Sequence, residues 1–513
     1  MRRAALLWCV VAAACSAPSD PAGWARQAAK RNRIDEKLEA LEQVRKAPGD
    51  HKAAAPYLIE VLGQHPRARG EAAVALGEIG DPSLAGPLLG AVDLAATDRD
   101  TVDANRKIAA ALGALRAKEA VPKLVEMLAS PDAFTQVAAV DALGEIGDPA
   151  AVDRIVALAA DERTPPFTVK KALLALGRIG DPRASPTVLR MLFVERPGVS
   201  FFPEAAFAAS QIGQPMVAPL LEVLEGRDAK LEAWARESRV VRGALYAKAA
   251  QLLGDVGDEK AVPALLRRLS YQDADPGVQL VVRVFAAESL GRLRASAAAR
   301  PLAEQVARER DPDVRARYCD ALARIGDPAA LPALRSAAAA GDFDLREGPL
   351  VALSRLGGEA ERAMVESARS KDCRSSCPAA QERAYAGMAA RLEAARACRG
   401  EVACWTSRLA DPSAAARDRA ALEVGRAGGP AQAEALAAAI VRQVDGDDEL
   451  AARYHAVLAL GWIARRADLG AAREGIADQL DRMIASDKGR SLTSAVNEDA
   501  LRLATRLRRA ARG

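Results

Sequence analysis

The chain has 513 residues, with 72 Lys and Arg against 68 Asp and Glu, and a formal net charge of +4 is too balanced for a protein held electrostatically to nucleic acid. Half of the residues are hydrophobic while only 4% are aromatic, and a core so rich in Ala and Leu is the composition of closely packed helices. Three histidines leave little for imidazole catalysis or for His-based metal binding.

Met1-Arg2-Arg3 precedes an uncharged apolar run from Ala4 to Ala14, which ends in small residues before Cys15. That is the charged start, apolar middle and small-residue cleavage site of an export signal, so residues 1–14 are read as a signal peptide. The run is shorter than the ~20 apolar residues a bilayer span needs, and no later stretch is that long without charge, so the mature chain is expected to lack a transmembrane helix. Ala12-Ala13-Ala14-Cys15 resembles the lipobox of bacterial lipoproteins, which implies an acyl chain on Cys15. That family usually has Leu three residues before the Cys. Ala12 stands there instead, so ordinary cleavage after Ala14 and a soluble periplasmic product remain the alternative. Residues 15–23 read as a polar tether, because the Pro and Ser of Ser16-Ala17-Pro18-Ser19-Asp20-Pro21 oppose regular structure. Ser rather than Asp after the lipidated Cys resembles lipoproteins sorted to the outer membrane.

Residues 24–513 read as one continuous array. Leu76-Gly77-Glu78-Ile79-Gly80-Asp81-Pro82 returns as Leu143-Gly144-Glu145-Ile146-Gly147-Asp148-Pro149 and as Leu176-Gly177-Arg178-Ile179-Gly180-Asp181-Pro182. Weaker copies sit at Ile212-Gly213, Val256-Gly257-Asp258, Ile325-Gly326-Asp327-Pro328 and Leu356-Gly357. The step is 33 residues from Gly147 to Gly180 and again to Gly213, and 31 from Gly326 to Gly357. A fixed period of this size is the mark of a solenoid of helical hairpins. Gly ends one helix in the left-handed setting, Asp caps the next, and Pro fits its first turn. Two antiparallel helices cannot bury both faces alone, so stacking supplies the core.

These residues resemble HEAT repeats, in particular the bacterial subgroup called phycobilin-lyase-like, across roughly residues 50–465. The resemblance implies an all-α, right-handed α-solenoid of about twelve hairpins, capped by a long helix near Trp24–Lys46 and another near Asn497–Arg509. Gly213 to Gly257 is 44 residues, so that unit carries an insertion around Gly226–Ser238. Its Trp234 either packs beneath a longer helix or faces a partner.

Arg69, Arg283, Arg315, Arg346, Arg417 and Arg453 fall near one phase of their second helices. In the HEAT family an Arg there resembles part of an internal ladder to Asp residues of neighbouring units, a pattern that Asp313-Val314-Arg315 matches. The alternative is a basic stripe for an acidic partner. Phe134 and Phe167 start successive second helices, with Phe201-Phe202 next in line. Phe134, Phe167 and Phe202 form a candidate apolar binding surface, which burial of all three as helix staples or core would remove.

Cys9 departs with the signal, and Cys319, between helical apolar neighbours, reads as a buried small residue. Cys373, Cys377, Cys398 and Cys404 are expected to be disulfide-bonded in an exported protein. Of the three connectivities, the local pairs Cys373 to Cys377 and Cys398 to Cys404 are preferred, with a four-Cys zinc site as the alternative.

Some HEAT-like proteins are enzymes: a chromophore lyase group, a DNA glycosylase group and an iron-dependent hydroxylase group. The hydroxylases rely on His-Glu pairs, whereas His51, His65 and His455 are followed here by Lys52, Pro66 and Ala456. No phosphate-binding loop, zinc-protease motif or nucleophile elbow is present in the sequence. Asp445-Gly446-Asp447-Asp448-Glu449 lacks a full calcium loop and reads as a solvated turn. The expectation is a non-enzymatic scaffold or adaptor, lipid-anchored in the bacterial envelope, that holds a protein or peptide partner along an extended surface lined by second helices. No catalytic residue, cofactor, metal, nucleic acid or small-molecule substrate is expected, and the membrane is met only through the anchor. The alternative is an enzyme or metal-binding protein on the same fold, lyase-like or with zinc at the Cys cluster.

Overall fold

Each Gly-Asp-Pro turns the chain in the same way. Gly80, Gly147, Gly180 and Gly326 close a helix with φ between 71° and 77°, a left-handed setting that costs residues with a Cβ about 1–2 kcal/mol. The following Asp then accepts from the backbone N–H two residues on, as from Ala150 to Asp148 at 2.9 Å and from Arg183 to Asp181 at 2.8 Å. These turns open a single 3-10 turn, such as Pro149–Ala151, before the next α-helix, Val152–Ala160. Asp and Pro therefore start that extra turn and not the α-helix itself.

The computed structural model describes residues 17–374, 376–442, 444, 446–487 and 494–510. The signal segment, Cys9 and the lipidation candidate Cys15 lie outside the described residues. The chain divides into two compact units, one ending at Ala208 and one running from Ala209, where the sequence reading had a single array over 24–513. Among the described residues no helix is long and apolar enough to cross a membrane.

In the first unit the second helices Pro66–Ile79, Arg99–Ala114, Ala133–Ile146 and Pro166–Ile179 lie side by side, each backed by its own first helix. The long helix expected over Trp24–Lys46 is instead a hairpin of Pro21–Lys30 and Ile34–Lys46, with Arg31 extended between them. The break lets Ala25, Ala28 and Ala29 pack against the stripe of Ala40, Leu41 and Val44. One unbroken helix would leave an apolar stripe in water.

In the second unit the second helices are Arg242–Val256, Pro276–Leu293, Pro312–Ile325, Phe343–Leu356, Ala379–Cys398, Ala414–Ala427, Asp447–Arg466 and Ser494–Ala510. The insertion folds as a short extra helix, Ala229–Glu237, whose Trp234 is half-buried. Its buried Glu232 accepts from Arg242 Nε at 2.8 Å and from the Tyr246 hydroxyl at 3.1 Å, which fixes the helix to its unit.

The first Gly of the recurring phrase sets how closely consecutive second helices approach. A methyl on Gly144 would lie 3.0 Å from Cα and Cβ of Ala175, and one on Gly291 would lie 3.0 Å from Ala321 Cα. Gly77 meets Ala111 and Gly113 meets Ala142 in the same register. The stacking contact is thus Gly on Ala, which brings the helices to the near end of the ~8–10 Å range.

Candidate functional site

The arginine column is buried, which removes the basic stripe: Arg315, Arg346, Arg417 and Arg453 are closed off and Arg69 and Arg283 are half-buried. Their first partners are backbone carbonyls at or just after the end of the preceding helix, except that Arg346 reaches the N-cap carbonyl of its own helix. Arg69 Nε donates to Leu62 O at 2.9 Å, Arg283 Nε to Tyr271 O at 2.7 Å, and Arg346 Nε to Asp342 O at 3.1 Å. Arg417 Nη1 donates to Asp411 O at 2.6 Å, and Arg453 donates to Arg442 O. A helix ends with carbonyls that have no internal partner, and a planar guanidinium satisfies them from the side. Three of the six also reach a carboxylate in the next unit: Arg346 to Asp372, Arg417 to Glu449 and Arg453 to Asp487. The expected Asp ladder is therefore partial, and the carbonyl caps are the wider feature. Arg315 Nε has no hydrogen-bond partner.

Phe134 and Phe167 are 67% and 58% exposed, so neither is a staple nor core. Each ring has a cation near its face, Arg106 at 5.9 Å and Lys171 at 5.8 Å from the centroids. Phe202 is half-buried and Phe201 fully buried, the latter beneath Arg196. The cysteines form Cys373–Cys377 and Cys398–Cys404 bonds, at 2.04 and 1.95 Å. Among the described residues the four do not converge as metal ligands; Cys373 and Cys377 group only with Glu382. Cys319 is buried, and burial pushes its thiol pKa far up, which makes it inert. The acidic turn gives Asp448 and Glu449 to ion pairs with Arg391 and Arg417.

A large concave feature lies within the second unit, and sequence reasoning missed it. Two pockets of about 580 and 660 Å³ share Glu347, Val351 and Arg355 and so form one groove. Helix Pro312–Ile325 contributes Asp313, Arg317, Asp320 and Arg324, spaced to share one helical face. Helix Phe343–Leu356 contributes Asp344, Glu347 and Arg355, and Ala379–Cys398 adds Arg383 and Arg391.

The floor is an ionic network centred on Asp418, which is wholly buried. Its Oδ2 accepts from Arg355 Nε at 2.8 Å and Arg391 Nε at 2.7 Å, while Oδ1 pairs with His455 Nδ1. Arg355 Nη1 continues to Asp320 at 2.9 Å, and Arg391 Nη2 to Asp448 at 2.6 Å. Burial opposes ionisation of Asp418, but Arg355, Arg391 and His455 outweigh it and hold the carboxyl well below its usual range. For His455 burial wins over the attraction of Asp418, so its pKa is depressed and the ring is neutral at pH 7. Its Nε2 lies 3.7 Å from Asp320, closed to solvent and without a hydrogen bond. An Asp-His pair can orient a general base, yet this imidazole has no route to a substrate.

At the groove's rim the chemistry is different. Asp313 and Asp344 are exposed and make no ion pair among the described residues, whereas Glu288 is engaged by Arg317 at 2.8 Å. Asp313 and Asp344 thus give one end of the groove an acidic edge, while the exposed Arg383 lines the other end. The sequence signal for the floor was present in Arg417-Asp418-Arg419, three consecutive charges inside an Ala-rich helix, all three now found buried.

The family described as HEAT repeats matches residues 92–169 and 299–384, one stretch in each compact unit. None of the curated proteins matches the chain. Among solved structures it is similar to Kap121p bound to Ste12p, at 12% identity over 91% of this chain and 55% of that one, with a TM-score of 0.49. It thus spans little more than half the length of Kap121p. It is also similar to the CpcE and CpcF complex of phycocyanin lyase from Nostoc, at 24% identity over 53% of this chain and 94% of that one, TM-score 0.27. A third is human deoxyhypusine hydroxylase, at 18% identity over 65% of this chain and 94% of that one, TM-score 0.22. The recurring phrase, the paired helices and the two matched stretches show that this chain carries HEAT repeats within an all-α solenoid.

Proposed function

We propose that the protein is a non-enzymatic scaffold that binds a protein or peptide partner at the periplasmic side of a bacterial envelope, held there by an acyl chain on Cys15. The observation that carries the reading is the pair Phe134 and Phe167, equivalent residues of successive units with their rings in solvent. Adjacent second helices stand ~8–10 Å apart, close to the rise of about two turns of a partner helix. Exposed aromatic rings beside cations supply the large, rigid contacts on which protein interfaces concentrate their affinity. The acid-edged groove of the second unit supports the same reading, since it suits a basic segment of a partner. An anchor would confine the scaffold to a surface and raise its effective concentration near envelope partners.

The test is in-cell crosslinking and capture with tagged wild type, the double variant Phe134→Ser with Phe167→Ser, and Cys15→Ala. One defined envelope protein is expected with wild type and is lost in the Phe variant, while Cys15→Ala moves the protein out of the membrane fraction. Undiminished capture by the Phe variant would refute the binding surface. An unchanged membrane fraction in Cys15→Ala would refute the anchor.

A further inference from the structure

A small pocket of about 30 Å³ lies within the second unit where Ser494–Ala510 and Asp447–Arg466 meet Arg242–Val256 and Pro276–Leu293. Four guanidinium groups and two carboxylates line it: Arg292, Arg465, Arg502, Arg506, Asp255 and Asp499. The acids are already committed. Arg292 pairs with Asp255 at 3.1 Å and with Asp499 at 3.0 Å. Arg502 pairs with the same two, at 3.3 and 2.9 Å. Arg502 also pairs with Glu498 at 3.3 Å, so these two cations are fully matched by carboxylates.

Arg465 and Arg506 are left over. Neither makes an ion pair or a hydrogen bond among the described residues, and Arg506 Nε is sealed from solvent with no partner at all. Arg465 is exposed as a whole residue, while its guanidinium is laid against Gly257, where a methyl would come within 3.2 Å of it. Burial and the neighbouring Arg506, Arg292 and Arg466 push its pKa down to about 9. Burial also lowers Arg506, with Arg502 and Arg509 adding to it against Asp255 and Asp499. Guanidinium groups gathered here without carboxylates of their own repel one another in the empty site, and an anion between them would relieve that repulsion.

We propose that this pocket binds a doubly charged tetrahedral oxyanion, inorganic phosphate or the phosphoryl end of a phosphomonoester, between Arg465 and Arg506. The chemistry matches: guanidinium forks pair with phosphate oxygens two at a time. The volume is about twice what one water needs, which admits a single small oxyanion or the tip of a larger molecule. The ligand would complete the contact between the C-terminal helix and the earlier helices of the unit, so its binding stabilises this part of the fold.

The experiment is thermal unfolding and calorimetric titration of the whole protein with inorganic phosphate, with phenyl phosphate, and with chloride at matched ionic strength. A saturable rise in the unfolding midpoint with phosphate, absent with chloride, is the expected result. A response to both phosphates places an attached phosphoryl group within reach of the site, and a response to inorganic phosphate alone restricts it to the free ion. Arg465→Gln and Arg506→Gln should each weaken phosphate binding at least tenfold while raising the midpoint of the phosphate-free protein, since each relieves the repulsion. Arg442→Gln, whose exposed guanidinium donates to Ala410 O outside the pocket, should leave the response unchanged. Equal midpoint shifts with chloride, no saturation with either phosphate, or undiminished binding in the Gln variants would overturn the proposal.

Discussion

Two Gly→Ala substitutions in one compact unit should move stability in opposite directions. Gly254 sits on Arg242–Val256 where it crosses Pro276–Leu293, and an added methyl would lie 2.7 Å from Ser289 Cβ and 2.9 Å from its Cα. Non-bonded carbons rest at about 3.5–4.0 Å, so the helices must part by roughly 0.7 Å. Neither of those atoms can swing aside without moving its helix. Overpacking of this kind costs about 1–3 kcal/mol. The same methyl displaces Ser289 Oγ, which donates to Ala250 O at 2.8 Å across the two helices, a bond worth about 1 kcal/mol net. Better helix propensity returns about 1 kcal/mol. Gly254→Ala should therefore destabilise by about 1–3 kcal/mol. Gly475, in Ala472–Ser486, has nothing within 4 Å of the same position. Gly475→Ala should stabilise by about 0.4–1 kcal/mol. Urea unfolding followed by circular dichroism reads both, with hydrogen exchange in the helix of each substitution as the local check. Shifts of the same sign, or a stabilised Gly254→Ala, would show that the close approach at this glycine does not limit the stacking.

Removing one partner of the buried network should be costly: Asp418→Asn strands Arg355 and Arg391 and is expected to destabilise by about 3–5 kcal/mol, read from the urea midpoint. His455, whose folded-state pKa lies below its ordinary 6.5, contributes stability above pH 6.5 that is lost as pH falls toward the depressed value. In that window the unfolded chain binds the proton first, so stability should drop with a slope of up to about 1.4 kcal/mol per pH unit, and His455→Gln should flatten that part of the curve. Reduction should lower stability by about 2 kcal/mol through the Cys398–Cys404 loop, and unreduced, denatured protein should show Cys319 as the sole reactive thiol among the five cysteines of the second unit. Stoichiometric zinc that disappears in Cys398→Ser would refute the disulfide pairing.

What the sequence made legible was local to one repeat. Gly147-Asp148-Pro149 announced a helix end and a new start, and its Gly adopts the left-handed setting as expected. Where the phrase lacks its final Gly the chain uses other means: Arg116, Arg294 and Arg399 take that positive-φ role, which composition gives no reason to foresee. The phase of the Arg column was also visible, since Arg417 and Arg453 stand at matching points of their helices. Their targets were not, because Leu62 O or Arg442 O is a backbone atom and leaves no mark in the residue pattern. The groove floor was the least legible. Asp418 meets Arg355 across 63 residues, and Trp462 Nε1 donates to Arg292 O across 170. A period of about 33 predicts contacts between adjacent units, not between units several repeats apart.

Those distant contacts bear on where a partner can bind in the second unit. The helices there are rich in Ala, and Ala surfaces packed by area alone would tolerate sliding, because hydrophobic burial has no direction. Charged groups do have direction. With Arg355 and Arg391 on one carboxylate oxygen of Asp418 and His455 on the other, a shift of one helical turn would leave every one of them unpaired. Desolvating so many ions is a poor way to gain stability and a good way to fix a single register. The Asp418 floor is accordingly committed to the fold, with both oxygens of Asp418 already used. On the scaffold reading proposed above, recognition would fall to side chains the network leaves out, such as Asp313 and Asp344 at one end of the groove, which can meet a basic partner without breaking any contact that holds the unit together.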